Sequence, residues 1–192
     1  MSDMRRVTRS VCCALVAVGF MSSAATAQTS VSAEDSAFLR AQRLVAAGQG
    51  DQGRAIVAQR LASAPPGSAR YAQALYWRAA LAITAADAER DLRRVVVEFP
   101  LSPWTDDALM RLAQLELARG ERLSALLHLE RIALEHPSSA THARASYTAG
   151  RLLLDMNELA RGCAKLTEAD ANAGASDAGL RDQIARLRER CG

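Results

Sequence analysis

The 192-residue chain almost lacks lysine, with Lys165 alone beside 23 arginines, and it is poor in aromatic residues (4%), proline (5) and glycine (11). Each shortage removes a class of protein. So little Gly and Pro excludes collagen-like and linker-like material. A hydrophobic fraction of 49% is too high for a disordered chain. Strands favour aromatic and β-branched residues, and helices favour alanine, of which there are 40. The composition therefore favours an all-helical chain of one domain or two small ones over a sheet-dominated enzyme.

Catalytic signatures are missing too. His128, His136 and His142 are the three histidines, and none sits in a His-Glu-x-x-His pattern. There is no glycine-rich phosphate loop, Walker pattern or nucleophile elbow. Asp106 and Asp107 resemble a carboxylate pair, but at a helix start they complement the helix dipole. Cys163 as a nucleophile would need an unpaired thiol and a positioned base, which its surroundings do not indicate. No catalytic residue, metal or cofactor is expected.

What is present begins with Met1 to Ala27. Arg5, Arg6 and Arg9 precede an apolar run from Val11 to Met21 and the small residues Ser22 to Ala27. This order describes a secretory signal cleaved after Ala27, and the run is too short to span a bilayer comfortably. An uncleaved anchor and a buried helix are the alternatives. Cys12 and Cys13 lack the preceding Leu-small-small pattern of a lipid-modified cysteine. Cleavage would leave 21 basic and 20 acidic side chains, so the formal charge of +3 and pI of 8.9 do not indicate a nucleic-acid partner. It would also leave Cys163 and Cys191, which in an oxidising compartment either pair or stay as two unrelated thiols.

The informative feature is repetition. Pro66-Gly67-Ser68 leads to Ala74 and Ala79, Pro100-Leu101-Ser102 to Ala108 and Ala113, and Pro137-Ser138-Ser139 to Ala145 and Gly150. A weaker copy places Ala41 at the last small position. The spacing predicts helix over 105–119, with Ala108, Leu112, Leu115 and Ala118 as its stripe, and a stop at Gly120. A second helix follows over 121–135, with Leu123, Leu126, Leu127, Leu129 and Ala133 towards its partner, ended by His136-Pro137. Ser102-Pro103 reads as a cap and first-turn proline. Each unit is thus a helix hairpin, too small to bury its apolar face alone, so units must stack. Residues 177–191 form a last amphipathic helix, with Leu180, Ile184 and Leu187 on one side, that caps the stack. The resulting organisation is a signal over 1–27, a short tail over 28–31, repeats over 32–170, and a linker and capping helix over 171–192.

Ala74-Leu75-Tyr76-Trp77, and Glu98-Phe99-Pro100-Leu101-Ser102-Pro103 followed by Asp107-Ala108-Leu109, resemble tetratricopeptide repeats (TPRs). In particular they resemble the repeats of Gram-negative envelope proteins related to the outer-membrane-assembly lipoprotein BamD and the Tol-Pal-associated protein CpoB. It implies an all-α, right-handed solenoid of about four hairpins, with Ala41, Ala79, Ala113 and Gly150 where paired helices touch. Pro65, Pro100 and Pro137 would close the second helices. The unit from Ala72 is about three residues short near Ile83-Thr84-Ala85-Ala86 and lacks a turn glycine. The fourth lacks a closing proline. No lipid-attachment motif or heptad coiled coil accompanies the repeats.

The resemblance also implies a concave groove with Gln73 and Tyr76, Asp107, Met110 and Gln114, and Arg144, Tyr147 and Arg151 facing a protein or peptide partner. Arg144 with Arg151 would hold a carboxylate. The alternative is that these are ordinary solvated faces, with Tyr76 and Tyr147 packed between hairpins. Trp77 and Trp104 are read as packing between repeats. The function implied is a non-catalytic, periplasmic scaffold for outer-membrane assembly, or a Tol-Pal-linked helper of peptidoglycan remodelling, docked at the periphery of an inner- or outer-membrane complex.

Overall fold

A computed structural model describes the backbone over residues 24–192 and the side chains over 35–192. Most of the expected signal, including Cys12 and Cys13, lies outside the described residues. Two units are distinguished, residues 1–35 and 36–192. Helix α1 (Ala24–Ala46) begins in the first and ends in the second. Residues 28–31, expected as a tail, are helical because no Gly or Pro interrupts the alanine-rich run from Ala24 to Ala46.

The second unit continues through α2 (Gly50–Ser63), α3 (Ala69–Ala80), α4 (Ala85–Glu98), α5 (Thr105–Ala118), α6 (Arg122–Glu135), α7 (His142–Asp155), α8 (Leu159–Asn172) and α9 (Ala178–Arg188). A 3-10 turn, Glu189–Cys191, ends it, and no strand occurs among the described residues. Successive helices pair and each pair stacks on the next, giving a right-handed all-α solenoid of hairpins closed by α9.

Local chemistry sets the boundaries. At the end of α5, Gly120 adopts φ 80°, and the Glu121 amide donates to the Glu116 carbonyl at 2.9 Å. This left-handed turn satisfies the last carbonyls of the helix. Asn157 (φ 61°) performs it after α7, with Glu158 donating to Leu153. Phe99 and His136, each before a proline, leave helical geometry at φ/ψ −134°/54° and −132°/57°, ending α4 and α6. Ser68, Thr84 and Asp177 cap α3, α4 and α9 through side-chain oxygens.

Ser102 does not cap α5. Its hydroxyl accepts from Trp104 and its carbonyl from Thr105, so Ser102-Pro103 forms a turn, and Thr105 opens the helix with its hydroxyl on the Phe99 carbonyl at 2.7 Å. The stripe on α5 is also rotated: Ala108, Leu109, Leu112, Ala113 and Glu116 are buried while Ala118 is exposed. On α6, Leu126, Leu129 and Ile132 pack inward, but Leu123 and Leu127 are 65% and 63% exposed because they point away from α5.

Ala41, Ala79, Ala113 and Gly150 are all buried. A Cβ on Gly150 would lie 2.9 Å from two Leu166 carbons and 3.1 Å from the Gly162 carbonyl, so α7 and α8 touch backbone to backbone. Large rings fill the seams between hairpins. Phe38 stacks on Trp77 (5.6 Å, 3°), Tyr76 meets Trp104 at 4.9 Å, and Trp77 meets Trp104 edge-on at 6.1 Å. Both tryptophans are thus inter-repeat packing.

At the end of the chain Leu180 and Ile184 are buried against Ala143 and Ala169, with Tyr147 and Ala173 packed on them. Cys163 and Cys191 are joined, their Cα atoms 5.8 Å apart, tying the terminal turn to α8.

Two measurements check this packing. Gly150→Val should destabilise by about 1–3 kcal/mol through overpacking, read as a lower urea midpoint. Non-reducing peptide mapping should recover the Cys163 and Cys191 peptides linked, and Cys163→Ser/Cys191→Ser should cost about 2–4 kcal/mol.

Candidate functional site

The first helices of the hairpins, α3, α5 and α7, carry the residues expected to face a partner. Their registers align at offsets of 34 and 37 residues, giving rows across the stack: Gln73/Asp107/Arg144, Tyr76/Met110/Tyr147, Trp77/Arg111/Thr148 and Ala80/Gln114/Arg151. On a helix the first, third and fourth of these lie within a 60° sector, and the second lies to one side.

That lateral row is not available to a partner. Tyr76 and Met110 are each 7% exposed, held in the seams between hairpins. Tyr147 is half-buried beneath Leu180, because α9 crosses this end of the face. The aromatic side chain at this position is consumed in stacking one unit on the next. Arg144 is exposed but faces Asp177, the α9 cap, at 3.5 Å, so it is not unopposed as expected. A recess of about 350 Å³ lined by Arg144, Tyr147, Thr148, Asp177, Leu180 and Gln183 marks the junction. Asp107 accepts from Thr141 at 3.3 Å. Gln73 is half-buried, while Gln114 and Arg151 face solvent.

Arg111 was not singled out in the sequence, although its place 34 residues after Trp77 marks it. Its Nε donates to the Tyr76 hydroxyl at 3.1 Å and its guanidinium lies 5.4 Å from that ring's centroid. No carboxylate pairs with it among the described residues. A recess of about 140 Å³ lined by Ala79, Ala88, Leu92, Arg111, Gln114 and Leu115 adjoins it. Arg111, Gln114 and Arg151 therefore present oriented hydrogen-bond donors, two of them unopposed cations, on one face.

The three histidines sit within the packing or at helix ends. His142, the first residue of α7, is buried, with Nδ1 2.8 Å from the Pro137 carbonyl and Nε2 2.7 Å from Glu168. His136 lies 3.4 Å from Asp106. Burial, aided by Arg131 and Arg93, pushes the His128 imidazole below its usual range. No group of side chains suited to a metal occurs among the described residues.

Asp91, 1% exposed, receives Arg78 through Nε and Nη2 at 2.6 and 2.8 Å. Glu116, 3% exposed, is served worse: Arg93 and Arg119 approach only to 3.5 and 3.6 Å. Desolvation, with Glu121 and Glu89 nearby, pushes its carboxyl above the usual range.

No known family profile and no curated protein matches the chain. Solved structures do. The crystal structure of MamA is 16% identical at a TM-score of 0.53, covering 79% of this chain and 91% of MamA. Nearly identical TPR-like repeats of a Podosopora anserina kinesin light chain are 15% identical at 0.60, covering 81% of this chain and 85% of theirs. These likenesses show that the fold is a TPR-like solenoid.

The carboxylates predict opposite pH effects. Burial raises the Glu168 carboxyl, but hydrogen bonds from His142 and Lys165 outweigh it and leave it below the ordinary 4.5. A depressed folded-state pKa gives stability that is present above 4.5 and lost as pH falls through the folded value. Glu168→Gln should therefore flatten the fall in urea midpoint below about pH 4.5. Glu116, raised when folded, costs stability once ionised, so Glu116→Gln should stabilise the fold at pH 7 by on the order of 1 kcal/mol, read as a higher urea midpoint.

Proposed function

We propose that this chain is a non-catalytic scaffold whose concave face, formed by α3, α5 and α7, holds an extended acidic segment of a protein partner. The observation that carries the reading is Arg111, fixed over the Tyr76 ring with no carboxylate of its own. A half-buried guanidinium is expensive to hold unpaired, and an incoming carboxylate makes charge-assisted, bidentate hydrogen bonds to it. Gln114 and Arg151, one row over, extend the donor set along the solenoid axis. An extended segment makes contacts to several helices in succession, which suits a stack of short elements better than a compact ligand.

The chain acts in the periplasm, cut from its signal after Ala27. The charged and apolar order of Met1–Ala27 supports export, and the Cys163–Cys191 bridge suits an oxidising compartment. The partner belongs to an outer-membrane assembly complex, on the resemblance of Glu98–Pro103 and its neighbours to the BamD and CpoB type.

A photo-crosslinker at Gln114 in cells tests both parts. It should trap one envelope protein, lose it with Arg111→Glu, and keep it with Arg122→Glu on the exposed side of α6. Equal trapping in the two variants would reject the groove assignment. Trapping of Tol-Pal or peptidoglycan-remodelling proteins would move the chain to that pathway.

A further inference from the structure

The repeats differ at one seam in a way the groove does not use. In offset register, α5 and α7 end four residues beyond the point at which α3 ends at Ala80, so α3 lacks one helical turn. In α5 that turn carries Glu116 and leads to Arg119. There it meets Glu89 and Arg93 of α4, as Arg93–Glu116 and Arg119–Glu89 pairs that fill the seam. One repeat earlier neither side supplies such groups. Ala58, ninth in α2, stands where α4 has Arg93, and Ala82 stands where α5 has Glu116.

The result is a half-open cavity of about 250 Å³ between α2 and the link from α3 to α4. Val57, Ala58, Leu81 and Ala82 form its apolar floor, and Ile83, 76% exposed, its lip. Arg54, Arg78 and Arg90 stand around it with Asp87. Arg78 is held by Asp91 and Arg90 by Asp87 and Asp91, whereas among the described residues the one carboxylate on Arg54 is Asp51, whose side chain is 99% exposed. Exchange of Asp51 for a bound carboxylate therefore uncovers no buried charge. The cavity is smaller than the roughly 300 Å³ at which pockets for drug-sized ligands begin, but it has room for one branched aliphatic body.

We propose that this cavity is a second binding site, separate from the groove, that takes a branched aliphatic carboxylate: the aliphatic body on Val57, Leu81 and Ile83, and the carboxylate on Arg54. The chemistry is shared by a free short-chain acid and by the C-terminal leucine of a protein. It does not depend on the groove reading, because no groove residue lines it.

Titration of the ¹⁵N-labelled chain with N-acetyl-leucine and with 4-methylpentanoate tests it. Saturable shifts are expected at Val57, Ala58, Ala82 and Ile83, with N-acetyl-leucine amide and N-acetyl-alanine each about tenfold weaker. The tighter of the two acids identifies the source as a chain end or a free acid. Arg54→Gln should weaken binding about tenfold. Ala58→Arg/Ala82→Glu, which copies the pair from the next seam, should abolish binding without lowering the melting temperature. Absence of saturable shifts with either acid would overturn the proposal, as would equal affinity for the amide or unchanged binding in Arg54→Gln.

Discussion

Two helices of a hairpin can approach to backbone contact only where neither presents more than a methyl group, and the rest of this solenoid is built on that approach. Gly53 sits under the Ala41 carbonyl in the first hairpin, where an added Cβ would lie 2.5 Å from that oxygen, and in the last a Cβ on Gly150 or Gly162 would lie 3.1 Å from the other's carbonyl oxygen. Ala79 and Ala113 take the same place in between. With hairpin thickness fixed by small residues, each unit becomes a plate of nearly constant dimensions, and stacking follows from the apolar face that no plate can bury alone. The alanine excess is therefore more than helix propensity, since it marks the positions where a larger side chain would push the plates apart.

Because the plates are fixed, the seams between them are where the sequence varies. The few aromatic residues are spent there, with Phe38, Tyr76, Trp77 and Trp104 joining the first three units. Charge is buried as well, by Asp91 inside the α3–α4 hairpin and Glu116 at the second seam, and the two show why geometry decides the value of a buried ion. Asp91 receives two short hydrogen bonds from a single planar guanidinium, so its lost hydration is replaced. Glu116 has cations on two sides but at distances beyond good hydrogen bonds, with two further carboxylates close by. At the C-terminal end no further hairpin arrives, and α9 supplies the missing apolar cover while the Cys163–Cys191 link keeps that short helix in place.

The hairpins were legible in the sequence because periodic signals act locally: the Pro-x-Ser starts, the small contact residues and Gly120 each report on a few neighbours. The helices they predict over 105–119 and 121–135 occur at Thr105–Ala118 and Arg122–Glu135, and the capping helix at Ala178–Arg188. The face of each helix was less legible. A stripe such as Ala108, Leu112, Leu115 and Ala118 fits more than one rotation, and the choice among them is made by helices far away in sequence, here α3, α4 and α6. For the same reason Tyr76 and Met110 read as partner-facing but are claimed by the adjacent hairpin. Arg111 went unnoticed because an isolated arginine on a helix carries no motif. Its significance lies in what does not reach it, and that is a property of the assembled face.

Charge follows the same division between local and summed quantities. Over the whole chain acidic and basic groups nearly cancel, and several cations are tied to carboxylates one helical turn away, such as Arg93–Glu89, Arg94–Glu98 and Arg131–Glu135. Such pairs are dipoles whose fields die within a few ångströms and are weakened further by salt. The cations that project a field are those the pattern leaves over, and the stack places Arg111 and Arg151 on one face, at equivalent or adjacent rows of consecutive hairpins. A repeat fold converts an unremarkable net charge into a directional one by this means, because the offset between units sets which leftover groups become neighbours. The same logic applies to shape. A turn omitted from α3 would shorten an isolated helix without consequence, yet within the stack it removes the filling of a seam and leaves a recess with walls that the neighbouring plates hold in place.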